Sequence, residues 1–141
     1  MLARVTLALC SQDDTAPQPV ELLLASLLGC KTATAHYVAR HLWPRPHNKI
    51  QSIRFEDIVA ERDERGALSL PIDEAPPVTA ALLRVRGVAR VLPTSSTISA
   101  SEVAALGRLV EERCPVAATL VAAGCELNVA WELASDAPRE A

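Results

Sequence analysis

Four cysteines, Cys10, Cys30, Cys114 and Cys125, are the side chains of this 141-residue sequence with the most distinctive chemistry. An even number fits a disulfide framework, but such frameworks are typical of small secreted domains that lack a core. This chain is 50% hydrophobic and shows no secretory signal pattern, so we expect a reducing, cytoplasmic compartment. There is no C-x-x-C and no Cys/His pair at zinc spacing. We therefore expect neither a metal nor another cofactor.

Cys114 has the strongest physical argument for reactivity. The following Pro115 pushes it out of the helical conformation and favours the start of a helix. Because a helix N-terminus and the neighbouring Arg113 both stabilise a thiolate, we predict a lowered pKa for Cys114, with ordinary capping or core packing as the alternative. Cys10 and Cys125 have no activating neighbours and are predicted to be small buried hydrophobic residues.

Cys30 follows Gly29 inside a predicted helix, where glycine costs about 1 kcal/mol relative to alanine. We predict that Gly29 allows another backbone or a substrate to approach the thiol closely, and close packing of two helices is the alternative. Thr34 and Tyr37 share the helix face of Cys30, whereas Lys31 turns away by about 100°. The sequence therefore assigns no cation to the Cys30 thiol.

Composition and charge exclude several classes of protein. The net charge is −3 and only 3% of the residues are aromatic, so no basic surface indicates nucleic acid or an anionic membrane as a partner. The longest apolar run, residues 20–30, contains Glu21 and is shorter than the roughly 18 residues of a membrane span. The length favours a single domain.

The elements that position the cysteines follow from hydrophobic periodicity and from proline and glycine. Strands are predicted at residues 4–10, 50–61, 67–72, 78–91 and 125–133, and helices at residues 19–41, 99–114 and 115–123. Pro19 suits the first helical position, Ser99 and Glu102 form a capping box, Gly87 indicates a bulge or bend, and Gly124 indicates a helix cap.

The first long helix is predicted to be buried on all sides. Leucines cover almost the whole circumference of its first half (Leu22, Leu23, Leu24, Leu27 and Leu28). The predicted fold class is therefore α+β, with strands on both sides of a buried helix.

Residues 19–30, PVELLLASLLGC, resemble the signature P-x-E-L-L-L-A-x-L-G-x-C of the OsmC/Ohr superfamily, the osmotically inducible protein C and organic hydroperoxide resistance proteins. Residues 112–116, ERCPV, are similar to the second-cysteine motif of the same superfamily. The superfamily's peroxidases place a glutamate ten residues before the first cysteine, where this chain has Val20. Glu21 stands nine residues before Cys30, a spacing that resembles the OsmC-like branch.

The resemblance implies one OsmC-like domain over residues 1–141, with a shortened N-terminal sheet and a polar tail at residues 135–141. It implies an intertwined homodimer in which a long buried central helix and a second helical pair pack on antiparallel strands. It also implies a thiol-dependent peroxidase for organic hydroperoxides, with Cys30 as the peroxidatic and Cys114 as the resolving cysteine and with a thiol reductant as a further partner. Two alternatives remain open: a catalytically weak dimer that binds a small apolar or thiol ligand, and a purely structural dimerisation module.

Overall fold

The structure, a computed structural model, describes residues 18–94 and 97–134. Within these ranges it contains the helices α1 (Pro19–Leu42), α2 (Arg65–Leu68), α3 (Ala100–Arg113) and α4 (Pro115–Ala122) and the strands β1 (Ile50–Glu61), β2 (Arg84–Pro93) and β3 (Glu126–Leu133). The strand predicted at residues 4–10, with Cys10, and the tail at residues 135–141 lie outside the described residues.

The start of α1 confirms the prediction made from Pro19, which occupies the first turn. The backbone N–H of Gln18 donates to the carboxylate of Glu21 at 2.9 Å, in a capping box with Gln18. Glu21 therefore serves the helix end. The helix stops before Pro44, whose ring cannot be accommodated inside a helix.

Only one face of α1 is buried within this chain. The buried residues of the helix are Leu27, Lys31, Ala35, Val38 and Ala39. Leu23 is 37% exposed and Tyr37 is 50% exposed, so the chain alone does not bury the helix on all sides. By length and composition α1 could cross a membrane, but the core helix of a soluble protein passes the same test. In this fold α1 packs against α3, α4 and β1.

The described strands form one sheet in the order β1-β2-β3, and not two groups on either side of α1. β1 and β2 pair antiparallel, as the resemblance implies, whereas β2 and β3 pair parallel. The parallel pairing follows from the connection, because α3 and α4 lie between β2 and β3 and carry the chain back along the sheet. The fold is mixed α+β, as predicted.

The segment between β1 and β2 differs from the prediction. Residues 67–72 were expected to form a strand, but the helical turn Arg65–Leu68 takes up their start. The carboxylate of Asp63 accepts the backbone N–H of Arg65 at 3.0 Å and begins this turn. Pro71 lacks the N–H that a strand would need. β2 consequently begins at Arg84, six residues later than predicted.

Gly87 marks a bulge, as predicted, but the extra residue belongs to the neighbouring strand. The register of β1 against β2 shifts between Glu56 and Val59, which leaves Asp57 and Ile58 opposite Gly87. A Cβ at Gly87 would lie 2.2 Å from Cδ1 of Ile58, so the glycine makes room for the bulge.

The helix ends around the second cysteine motif confirm their predictions. Ser99 accepts the backbone N–H of Glu102 at 3.2 Å, and the Glu102 carboxylate accepts the backbone N–H of Ser99 at 2.8 Å. Gly124 has a φ of 91°, a conformation that favours glycine after a helix. These caps fix both ends of the α3–α4 segment.

Two apolar clusters fill the space between the helices and the sheet. The first joins the second half of α1 to β1, β2 and α3. The second lies at the first half of α1, and its buried members are Leu27, Val85, Cys114, Ala117 and Cys125. Cys30 packs against this second cluster, which therefore contains all three cysteines of the described residues.

Candidate functional site

Cys30 and Cys114 come from different helices and meet in the second cluster. Cys30 lies in the middle of α1 and is partly exposed. Cys114 is the last residue before Pro115, with φ −75° and ψ 115°, and it ends α3 and precedes α4 as predicted. Its side chain is fully buried. Both side chains belong to this cluster, and each affects the pKa of the other.

Three polar groups favour the ionised form of Cys30. They are the backbone N–H of Val116 in the first turn of α4, the thiol of Cys114 and the hydroxyl of Thr34, and each of them lowers the pKa of Cys30. Thr34 stands one helical turn after Cys30, so its contribution confirms the face predicted from the sequence. The N-terminal end of α4 therefore acts on Cys30, although Cys30 belongs to another helix.

The pKa of Cys30 lies below the ordinary value of a cysteine. Burial opposes ionisation, but the N–H of Val116, the donors Cys114 and Thr34 and the positive charge of Lys31 together outweigh it. Cys30 is therefore the thiol of this pair that ionises first.

The prediction of a lowered pKa for Cys114 is wrong. Burial raises the pKa of this thiol, and its hydrogen bond to Cys30 and the charge on Cys30 raise it further. The backbone N–H of Ala117 and the charge of Lys31 act in the opposite direction without reversing the shift. The helix N-terminus is present as expected, but two effects oppose the ionisation of Cys114: its full burial and the second ionisable thiol beside it.

Lys31 is fully buried and acts on the Cys30 thiol, although its helical angle turns it away from that thiol by about 100°. Its ammonium group lies 2.5 Å from each carboxylate oxygen of Glu111 on α3. The indole Nε1–H of Trp131 on β3 donates to the same carboxylate at 3.2 Å. The side chain of Lys31 does turn toward α3, whereas Cys30 faces α4. The charge of Lys31 nevertheless lowers the pKa of both Cys30 and Cys114.

The composition of α1 indicates this ion pair, although the helical angle of Lys31 does not. Lys31 is the only Lys, Arg, Asp or Glu between Glu21 and Arg40 in an otherwise apolar helix. A lysine in such a helix is buried only with a partner of opposite charge. Glu111 stands three residues before Cys114, so α3 brings the partner to the site together with the second cysteine.

Cys125 and Gly29 give one confirmed prediction and one correction. Cys125 is buried in the second cluster, as predicted, and burial and the charge of Glu126 raise its pKa. A Cβ at Gly29 would meet no atom of the described residues within 4 Å, so no close approach of backbone explains this glycine within the chain.

A surface pocket of about 350 Å³ lies between α1 and α3, and neither Cys30 nor Cys114 lines it. Its lining residues are Tyr37, Val38, His41, Leu42, Leu109 and Arg113. Within the described ranges no group of three or more His, Cys, Asp or Glu side chains has an arrangement that would hold a metal ion.

Solved structures with the same fold come from several bacteria. The chain is similar to an OsmC-like protein from Mycoplasma pneumoniae, with 20% identity and a TM-score of 0.65 over 91% of this chain and 79% of that chain. It is similar to a hypothetical protein from Aquifex aeolicus, with 16% identity and a TM-score of 0.60 over 86% of this chain and 76% of that chain. At these identities the similarity concerns the fold.

A third similar structure is described as an organic hydroperoxide resistance protein OsmC from Legionella pneumophila, a predicted redox protein and regulator of sulfide bond formation. Its identity to this chain is 15% and its TM-score is 0.58, over 87% of this chain and 73% of that chain. A comparison with curated proteins finds no match. The family model for OsmC-like proteins matches residues 12–130, which include both cysteine motifs, β1, β2 and the first five residues of β3. The chain therefore belongs to the OsmC-like protein family.

Proposed function

We propose that this protein is a thiol-dependent peroxidase that reduces organic hydroperoxides, with Cys30 as the peroxidatic and Cys114 as the resolving cysteine. The observation that carries the proposal is that Cys30 of α1 and Cys114, at the junction of α3 and α4, pack in the same apolar cluster. The lowered pKa of Cys30 and the raised pKa of Cys114 support it. A two-cysteine peroxidase requires a nucleophile that ionises readily and a second thiol close to it that reacts after the first has been oxidised.

In the proposed reaction the Cys30 thiolate attacks one oxygen of the hydroperoxide. A sulfur–oxygen bond forms, the O–O bond breaks, and the alkoxide leaves and takes up a proton to become the alcohol. Cys30 is then a sulfenic acid. Cys114 attacks its sulfur, so that a disulfide forms and the oxygen leaves as water. A thiol reductant supplies two electrons and two protons to restore both cysteines.

The proposal extends to the assembly and the compartment. Family membership and the exposed apolar side chains of α1, such as Leu23 and Leu42, support a homodimer in which a second copy covers this helix. We extend the proposal to a reducing, cytoplasmic compartment, in which the two thiols are restored between turnovers. The proposed partners are a second copy of the chain, an organic hydroperoxide and a thiol reductant. The proposed reaction uses no cofactor, nucleic acid or membrane.

The test is a titration of the fully reduced protein with cumene hydroperoxide, followed by disulfide mapping with mass spectrometry. We expect one equivalent to produce a disulfide between Cys30 and Cys114. In Cys114→Ser a sulfenic acid should accumulate on Cys30, where dimedone traps it, and in Cys30→Ser no disulfide should form. Cys125→Ser removes a buried thiol of the same cluster and serves as the matched control.

Thiols that remain unchanged at a modest excess of hydroperoxide would contradict the proposal. That result would favour a catalytically weak dimer that binds a small ligand, or a structural dimerisation module. A disulfide between Cys125 and either of the other cysteines would contradict the assigned roles of Cys30 and Cys114.

A further inference from the structure

Lys31 is the only charged side chain that is buried among residues 18–94 and 97–134. Its position in the chain brings it next to Cys30, and its partner Glu111 stands three residues before Cys114. Residues three apart on a helix are neighbours on its surface. The ion pair of Lys31 with Glu111 therefore lies beside the contact of Cys30 with Cys114, where α1 meets the end of α3.

Glu111 holds the ammonium group of Lys31 in place, and Trp131 holds the carboxylate of Glu111. The ammonium group reaches both carboxylate oxygens of Glu111 at 2.5 Å, and Trp131 donates its indole N–H to one of these oxygens at 3.2 Å. Each buried side-chain polar atom of the described residues has a hydrogen-bond partner. The carboxylate is thus fixed from two elements, α3 and β3, and it fixes the lysine.

Stability alone does not account for a lysine at this position. Removing two charges from water costs about as much as a buried ion pair returns, and well-packed apolar residues of similar volume are often at least as stable. The side chain of Glu111 is 32% exposed and retains some solvation, whereas that of Lys31 is 0% exposed and carries the larger cost.

We propose that Lys31 supplies the positive charge that favours the thiolate of Cys30, and that Glu111 and Trp131 are positioning residues for its ammonium group. Along α1 no other Lys or Arg stands within nine residues of Cys30. The inference depends on the proposed function only for the identity of the reacting thiol.

The groups that act on Cys30 come from α1, α3 and α4. Lys31 and Thr34 act from α1, the N–H of Val116 from α4, and Cys114 from the junction of α3 and α4. Glu111 on α3 acts through its pairing with Lys31. Removing the lysine charge and removing the carboxylate charge should therefore shift the pKa of Cys30 in opposite directions. If the ion pair served only to stabilise the fold, the two substitutions would not shift the pKa of Cys30 in opposite directions.

The experiment measures the alkylation rate of Cys30 by iodoacetamide as a function of pH in the reduced full-length protein, with the Cys30 peptide followed by mass spectrometry. In Lys31→Met we expect the pKa of Cys30 to rise, because the positive charge that favours the thiolate is gone. In Glu111→Gln we expect it to fall, because the amide oxygen still accepts a hydrogen bond but the amide no longer offsets the ammonium charge. The pKa is the readout of choice, because a less acidic thiol is also a better nucleophile and partly compensates the rate.

Lys49→Met is the matched control. Lys49 also pairs with a glutamate of α3, Glu102, at 2.6 Å, and it lies over the ring of Trp43. Trp43 follows α1 and stands about 20 Å along the helix axis from Cys30. This variant removes a lysine and an ion pair between comparable elements, and it should leave the pKa of Cys30 unchanged.

A pKa of Cys30 in Lys31→Met that equals the wild-type value would overturn the inference. If Lys31→Met does not fold, Glu111→Gln decides, since an unchanged or raised pKa of Cys30 there would also overturn it. Alkylation involves no peroxide, so the two proposals fail separately. Opposite shifts of the pKa without any reaction with cumene hydroperoxide would support the role of Lys31 and refute the peroxidase.

Discussion

Gly107 in α3 lies against the indole of Trp131, and replacing it with alanine tests the packing that holds the site. A Cβ at this position would lie 2.3 Å from Cγ and 2.5 Å from Cδ1 of Trp131, well inside contact distance. The indole is a rigid ring that also donates to Glu111, so moving it away from α3 would disturb this hydrogen bond. Gly107→Ala should therefore strain the contact between α3 and β3.

The magnitude follows from two opposing terms. Overpacking a core contact costs about 1–3 kcal/mol, whereas alanine gains about 1 kcal/mol over glycine inside a helix. We expect Gly107→Ala to lower the free energy of unfolding by about 1 kcal/mol, with a decrease in Tm of about 3 °C for a chain of this size. Urea unfolding followed by far-UV circular dichroism measures the change without depending on the tryptophan.

Gly29→Ala is the matched control, because the same substitution in α1 meets no atom of the described residues within 4 Å. Within one chain it should raise the free energy of unfolding by about 1 kcal/mol. Gly107→Ala as stable as the wild type or more stable would refute the packing argument. A destabilised Gly29→Ala with a reduced dimer fraction would instead show that a second copy packs closely on α1 at this position.

Two further predictions concern the thiols and the start of α3. Iodoacetamide should label Cys30 before Cys114 and Cys125, and the labelling rate should rise as the pH passes through the lowered pKa of Cys30. Burial raises the pKa of the other two thiols and keeps them protonated in this pH range. Peptide mass spectrometry that finds either of the other two labelled first would be evidence against this order. Ser99→Ala should lower the free energy of unfolding by about 1 kcal/mol because the N–H of Glu102 loses its acceptor, and an unchanged urea midpoint would argue against a working cap.

The features that the sequence predicted well are set by a few neighbouring residues. Ile50–Glu61 is a strand with the predicted limits, and Pro115 opens a helix directly after the break at Cys114. Ser99 caps α3 because its hydroxyl needs only the backbone three residues on. In each case the deciding interaction lies within one turn or one strand, where residue types carry the information.

The features that the sequence did not predict depend on contacts between distant segments. The parallel pairing of β3 with β2 depends on the path of α3 and α4, and no pattern within β3 encodes it. The role of Lys31 depends on Glu111 and Trp131, which stand 80 and 100 residues away along the chain. A helical angle gives the direction of Lys31 relative to Cys30, but it says nothing about what α3 places beside both.

The opposite pKa shifts of the two thiols also depend on contacts between distant segments, and they bear on the order of steps in the proposed reaction. A helix N-terminus next to Arg113 made Cys114 the expected thiolate, yet α4 also donates an N–H to Cys30, and burial then decides between them. The charge of Cys30 is one of the causes that keep Cys114 protonated. When Cys30 becomes a neutral sulfenic acid, that cause disappears while Lys31 and the N–H of Ala117 remain. Oxidation of the first cysteine thus lowers the barrier to ionisation of the second, and the order of the two steps follows from their contact.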